Sequence, residues 1–179
     1  MNTNKWNTHK SYADSENLTE LLDVIPFEIF SDSLNEINLK KECFNPHSYN
    51  SVYLESGPLR ECKSVFLTNK NILPFTYDLF SFLKNKINSE LPSSKAYVTV
   101  LKPGGKIYEH CDAGSLYWDN IKRYQFYLTG NSSIIQLIKN KQFETKPGYF
   151  YFFDHKQLHY YENNSTDDLI LMVFDIQGK

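Results

Sequence analysis

"PGYFYFFDHKQLHYYENNS", residues 147–165, holds two short aromatic runs separated by a polar turn. "YFYFF" (149–153) and "HYYEN" (159–163) are rich in the residue types that fit a pleated sheet, and Pro-Gly and Asn-Asn-Ser punctuate them with turn chemistry. Side chains alternate along a strand, so His159, Tyr161 and Asn163 share one face of the second run. The same texture extends in both directions. "KAYVTVLK" (95–102), "KIYEH" (106–110), "RYQFYLTG" (123–130), "SIIQLIK" (133–139), "KQFETK" (141–146) and "DLILMVFDI" (168–176) are strand-like, with Pro-Gly-Gly, Gly-Asn and Lys-Asn between them. Short strands at such close spacing predict an antiparallel sheet closed on itself as a sandwich or barrel.

The first half reads differently. Apolar residues from Leu18 to Ile37 recur at mixed spacing around Pro26, which predicts short helices or turns. "SVYLES" (51–56) and "CKSVFLT" (62–68) form a candidate strand pair across Gly57-Pro58. The clearest helix spans roughly 71–89: Phe75, Leu79, Phe82, Leu83 and Ile87 fall on one face, Pro74 suits the first turn and Pro92 lies past the end. The expected architecture is therefore mainly β: a double-stranded β-helix (jelly roll, cupin-like) with accessory N-terminal helices. We read one domain over 1–179, with 1–92 as a supporting region of helices and strands and 93–179 as the jelly-roll core.

Composition narrows the function classes. A chain of 179 residues with 41% hydrophobic and 16% aromatic content can bury a proper core. A net charge of −2 makes no global case for nucleic acid or an anionic membrane, and no apolar run reaches membrane-spanning length. The polar N-terminus lacks the apolar segment of a signal peptide. Cys43, Cys62 and Cys111 form no CxxC pair, so reduced thiols in a cytoplasmic protein are expected. The expected partner is a small molecule or a peptide.

Within that frame, "IYEHCDAG" (107–114) carries His110 and Asp112 at the end of a strand-like run, with Gly114 to break it. Two histidines and one carboxylate on a single face hold a divalent ion and leave positions open for a co-substrate and dioxygen. An isolated His-x-Asp is more often a solvated turn, so a second histidine must arrive from elsewhere. His155 and His159 are the candidates. His155 sits in the turn after Phe153-Asp154 and reads as surface; His159 opens a strand. Cys111 alternates away from the ligands and is expected to point into the core.

From Tyr97 to Ile176 the chain resembles the 2-oxoglutarate- and iron(II)-dependent oxygenases of the aspartyl/asparaginyl β-hydroxylase type. "TVLKPGGKIYEHCD" is similar to the family's lead strand, Pro-Gly turn and first ligand strand. "RYQFYL" (123–128) resembles its Arg-x-His-x-x-Leu strand, the 147–165 block its distal ligand strand, and "DLILMVFDI" its closing strand, ending at Asp175. The resemblance implies iron(II) and 2-oxoglutarate as cofactors. It implies His110, Asp112 and His159 as metal ligands and catalytic centre. It implies co-substrate contacts from Arg123, from Thr99 as a small hydroxyl residue, and from Gln125 where the family often has histidine. The implied reaction is hydroxylation of an unactivated C–H in a peptide side chain, an amino acid or a small metabolite. One position departs from the pattern: Leu169 stands where the family usually carries the arginine that pairs with the distal carboxylate of oxoglutarate. Arg123 is the first substitute, with Lys102, Lys106 and Arg60 in reserve. "LYWDN" (116–120) reads either as a lid whose Tyr117 and Trp118 touch substrate or as a hairpin covering the rim, and Tyr161 is a further pocket residue. Two other classes stand beside the oxygenase: a jelly-roll binding protein with a vestigial site, supported by Leu169, and a cupin-like metalloenzyme that uses no oxoglutarate. A structural or virion-associated protein is the least favoured.

Overall fold

The structure, a computed structural model, describes residues 18–46, 59–68, 70–87, 93–112 and 120–177. Its elements run β1 (Thr19–Val24), α1 (Phe27–Lys40), a 3₁₀ turn (Lys41–Cys43), β2 (Asn45–Pro46), β3 (Leu59–Phe66) and α2 (Pro74–Lys86). They continue with β4 (Ser93–His110), β5 (Ile121–Tyr127), β6 (Ile134–Ile138), β7 (Lys141–Gln142), β8 (Tyr149–Phe153), β9 (His159–Asn163) and β10 (Leu169–Gln177). Every pairing is antiparallel, in the order β1-β8-β5-β10-β4-β9-β6-β7, with β3 also on β4 and β2 on β3.

β4 is the hinge of this arrangement. Its first half, up to Leu101, pairs with β10; its second half, from Lys106, pairs with β9; β3 pairs with both. The Pro-Gly-Gly segment that the sequence suggests as a turn is an irregular stretch inside one long strand. Gly104 takes φ +72° there, and the register against β3 slips between Arg60 and Cys62. A bulge of this kind bends a strand without ending it, which lets one strand serve both walls of a double-stranded β-helix. Buried Asn163 fastens the bend, donating from Nδ2 to the Leu101 carbonyl at 2.8 Å and to the Asp167 carbonyl at 2.8 Å.

Strand parity separates two cores. On β10, Ile170, Met172 and Phe174 face the helices, together with Val98 and Val100 of β4 and Phe126 of β5. Leu169, Leu171 and Val173 face the barrel interior, with Tyr97, Leu101, Tyr127 and Phe153. Because both faces of β10 are covered, its sequence is a continuous apolar run with no alternation. α1 and α2 seal the outer core through Phe30, Ile37, Leu79 and Leu83.

The segment from Leu18 to Ile37 differs from the expected short helices or turns. It is an edge strand on β8 followed by a fourteen-residue helix. Backbone pairing holds β1 in place with little side-chain burial, so no alternation marks it in the sequence. α1 buries Ser33 and Glu36 alongside its apolar residues, which blurs its stripe. Glu36 serves as a cap for the other helix. Leu73 offers no side-chain cap to α2, and Glu36 accepts instead from the Thr76 backbone N–H (2.9 Å) and hydroxyl (2.8 Å). "KQFETK" contributes only the two-residue β7, and the helix expected over 71–89 is Pro74–Lys86. "SVYLES" and Pro92 lie outside the described residues. All three cysteines are free; Cys111 is half-buried just beyond β4 rather than set in the core. Among the described residues no helix is long and apolar enough to cross a membrane.

The Pro147-Gly148 turn joins β8 to the rest. Gly148 has φ +85°, and a Cβ built there would stand 2.4 Å from the Ile25 carbonyl oxygen. Its own N–H and C=O bond Tyr127 and Ile25, each at 2.8 Å. Gly148→Ala is expected to destabilise the fold by roughly 2 kcal/mol or more, since both a left-handed backbone and a backbone clash oppose it. Chemical denaturation checks this; a change below about 0.5 kcal/mol would contradict the turn geometry.

Candidate metal centre

His110 ends β4 and His159 begins β9, and the two stand directly opposite in the strand register. Their ring centroids are 4.2 Å apart. Asp112 follows two residues later, and its backbone N–H donates to the His155 carbonyl at 2.9 Å, which fixes the turn back toward the histidines. One ligand atom from each of His110, Asp112 and His159 lies within 4.8 Å of the others. His155, expected at the surface, is buried at 2% exposure. The turn is tucked beneath the end of β4, and His155 takes part in the site through its main chain.

The hydrogen bonds around the two imidazoles decide what the cluster can do. His110 Nδ1 lies 2.8 Å from the Tyr108 carbonyl, and His159 Nδ1 lies 2.8 Å from the Gln157 carbonyl. A carbonyl only accepts, so each Nδ1 must carry a proton, and Nε2 is the atom each ring turns toward the cluster. Burial first, then the neighbouring His110, pushes the His159 imidazole down to about 3, so it is neutral. Phe153 meets the His159 ring edge to face at 5.1 Å and sets its plane. Burial, the largest single influence, pushes the Asp112 carboxyl up; the Arg123 guanidinium and the two neighbouring histidines together overcome it and hold it at about 2. The result is two imidazole Nε2 atoms and one carboxylate, with the outer nitrogens anchored to backbone carbonyls. That donor set and its fixed tautomers fit a divalent transition metal.

Arg123 organises the charge behind the cluster. On β5 it stands opposite Asp175 of β10, donating from Nε to Oδ1 at 2.8 Å and from Nη2 to Oδ2 at 3.0 Å. Its Nη1 donates to Asp112 Oδ2. All three residues are buried. Asp175, which the sequence marks only as the end of a strand, is thus the main partner of Arg123.

A narrow cavity of about 30 Å³ lies at His110, His159 and Arg123. Thr99, Gln125 and Tyr161 line it, with Leu171 and Val173 as an apolar wall. Gln125 and Gln136 each donate from Nε2 to the Tyr161 hydroxyl at 2.6 Å, Gln136 also donates to Gln125 Oε1 at 3.0 Å, and Tyr127 completes the network. Tyr161 therefore belongs to the cavity floor and not to its mouth. Leu169 is fully buried in the inner core. The reserve cations serve elsewhere: Lys102 pairs with Glu42 and Asp168, and Lys106 with Glu162. Tyr117 and Trp118, and the side chain of Arg60, lie outside the described residues.

The family model "Aspartyl/Asparaginyl beta-hydroxylase" matches residues 45–178. No curated protein matches the chain by sequence. Among solved structures, the fold is similar to a prolyl hydroxylase of Trichoplax adhaerens bound to a hypoxia-inducible-factor peptide fragment. The two are 12% identical with TM-score 0.68, covering 90% of this chain and 84% of that one. A Pseudomonas putida prolyl-4-hydroxylase aligns with TM-score 0.60 at 11% identity, covering 89% and 91%. The collagen prolyl hydroxylase of Paramecium bursaria Chlorella virus-1, solved with 2-oxoglutarate, aligns with TM-score 0.54 at 15% identity, covering 90% and 97%.

Proposed function

The chain belongs to the aspartyl/asparaginyl β-hydroxylase family, within the 2-oxoglutarate/iron(II) oxygenase superfamily, and on that premise we propose that it is an iron(II)-dependent hydroxylase driven by a 2-oxo acid, 2-oxoglutarate being the one its relatives use. The observation that carries this reading is the convergence of His110, Asp112 and His159 with both Nδ1 protons donated to backbone carbonyls. The reaction balances as substrate C–H, dioxygen and the 2-oxo acid giving alcohol, carbon dioxide and an acid one carbon shorter. Bound iron would supply the activation of dioxygen and the coupling of that decarboxylation to hydroxylation.

The chain's own residues supply the rest. Asp112 stays ionised beside Arg123, the neutral His159 presents an unprotonated Nε2, and His110 brings its own ring nitrogen to the same place. Arg123, Thr99 and Gln125 are proposed to contact the co-substrate, Arg123 at the end nearest the metal. Leu171 and Val173 keep water from one wall. The hydroxylated substrate is proposed to be a peptide or a small molecule; the Trichoplax relative holds a peptide, which favours the former.

Anaerobic addition of iron(II) and then a 2-oxo acid to the purified protein should produce a broad visible charge-transfer absorption. Iron bound tightly, with no such band for any 2-oxo acid, would leave a cupin-like metal protein as the better description.

A further inference from the structure

The inward side chains of β5, β10 and β4 fall into rows across the strands. Arg123, Asp175 and Lys95 form the row at the metal end; Gln125, Val173 and Tyr97 form the next; Tyr127, Leu171 and Thr99 form the third. Rows of this kind are about 7 Å apart, so a short 2-oxo acid held at the metal end places its far group at the second or third row. Among the described side chains of these strands, charge stops at the first row. Beyond it the described side chains facing the cavity are amides, hydroxyls and hydrocarbon: Gln125, Tyr161 and Thr99 against Leu171 and Val173.

That floor is built and knit together. The Tyr161 hydroxyl receives two amide N–H groups at 2.6 Å, which directs its own proton away from both, and Thr99 lies on the opposite strand wall at 3% exposure. Each nearby described cation is engaged: Arg123 by Asp175 and Asp112, Lys102 by Glu42 and Asp168, Lys106 by Glu162, and Lys95 over the rings of Phe66 and Tyr97. A carboxylate lodged among neutral groups loses its hydration without gaining a counter-charge, whereas an amide, ester or hydroxyl exchanges hydrogen bonds with water for equivalent ones here.

We propose that the cavity selects a 2-oxo acid whose far end is uncharged and polar, seated against Thr99, Gln125 and Tyr161. This rests on the oxygenase reading and changes its co-substrate class. The chemistry is unaltered: the product is the corresponding acid one carbon shorter, with its uncharged end retained.

The test compares 2-oxoglutarate, its 5-methyl ester and 2-oxovalerate on the full chain with iron(II), without oxygen, by the visible band. The ester is expected to bind at least tenfold tighter than 2-oxoglutarate and tighter than 2-oxovalerate. Thr99→Val should narrow the gap between ester and 2-oxovalerate. Leu169→Arg, checked for folding by circular dichroism, should shift preference toward 2-oxoglutarate. Binding of 2-oxoglutarate by the unaltered chain as tightly as the ester overturns the proposal while leaving the oxygenase reading intact. A bound iron that gives no band with any of the three overturns both.

Discussion

Arg123→Met is expected to destabilise the metal-free protein by about 3–5 kcal/mol at pH 7, the range for removing one partner of a buried ionic group. The guanidinium is held by both oxygens of Asp175 and by Asp112, all inside the barrel. Methionine fills similar volume but leaves two carboxylates without their cation. Removing the main partner as well, in Arg123→Met/Asp175→Leu, should recover a large part of the loss. The cycle would then show a coupling of roughly 2 kcal/mol or more. The pH dependence should reverse as well. In the native chain Asp112 is held at about 2, below its ordinary 3.8, so its contribution to stability is full above about 4 and fades as pH falls toward 2. Without Arg123 the burial that opposes this dominates, and the carboxyl rises above its unfolded value. The folded state then holds the proton longer than the unfolded state, and stability falls as pH rises. Urea denaturation between pH 2 and 8 reads both effects; a variant within 1 kcal/mol of the native protein at pH 7 would show that Arg123 is not structurally required.

This dual engagement also explains what the sequence could and could not say about the site. The two five-residue strands of the 147–165 block occur at Tyr149–Phe153 and His159–Asn163, where turn residues bound them; β9 has one buried and one half-buried face, while β8 buries aromatic residues on both. Fold class was legible for the same reason. The continuity of β4 was not, because Pro103-Gly104-Gly105 has the composition of a turn and only the strands on either side show that it is a bulge. β1 was hidden because edge pairing demands backbone, not a hydrophobic pattern. His110, Asp112 and His159 could be named as candidates from strand ends together with the family resemblance, and the fold brings the three together. The burial of His155 could not, since it depends on a turn packing beneath a strand that lies far away in sequence. Nor could the partners of Arg123: Asp175 is 52 residues distant, and only the β5–β10 register brings the two together.

The sharpest discrimination at the metal centre comes from His155 in the turn and His159 at the start of β9. His159→Ala removes a nitrogen whose partner atom is already locked to the Gln157 carbonyl and whose lone pair faces Asp112 and His110. A site reduced from three protein ligands to two should lose iron(II) affinity by at least a hundredfold. His155→Ala removes a side chain, but the contact it makes to Asp112 is through its carbonyl, which the variant keeps. That variant should unfold more easily because its side chain is buried, yet bind iron within about threefold of the native chain. The two effects separate by metal-linked stability. A ligand at one hundred times its dissociation constant raises stability by about 2.7 kcal/mol, so native protein and His155→Ala should both gain on adding excess iron(II), whereas His159→Ala should gain less than about 0.5 kcal/mol. Asp112→Asn should resemble His159→Ala in metal response while staying folded, because Arg123 retains both oxygens of Asp175. If His155→Ala loses the metal-dependent gain and His159→Ala keeps it, the ligand set runs through the wrong histidine, and with it falls the register of β9 against β4 on which the centre is built.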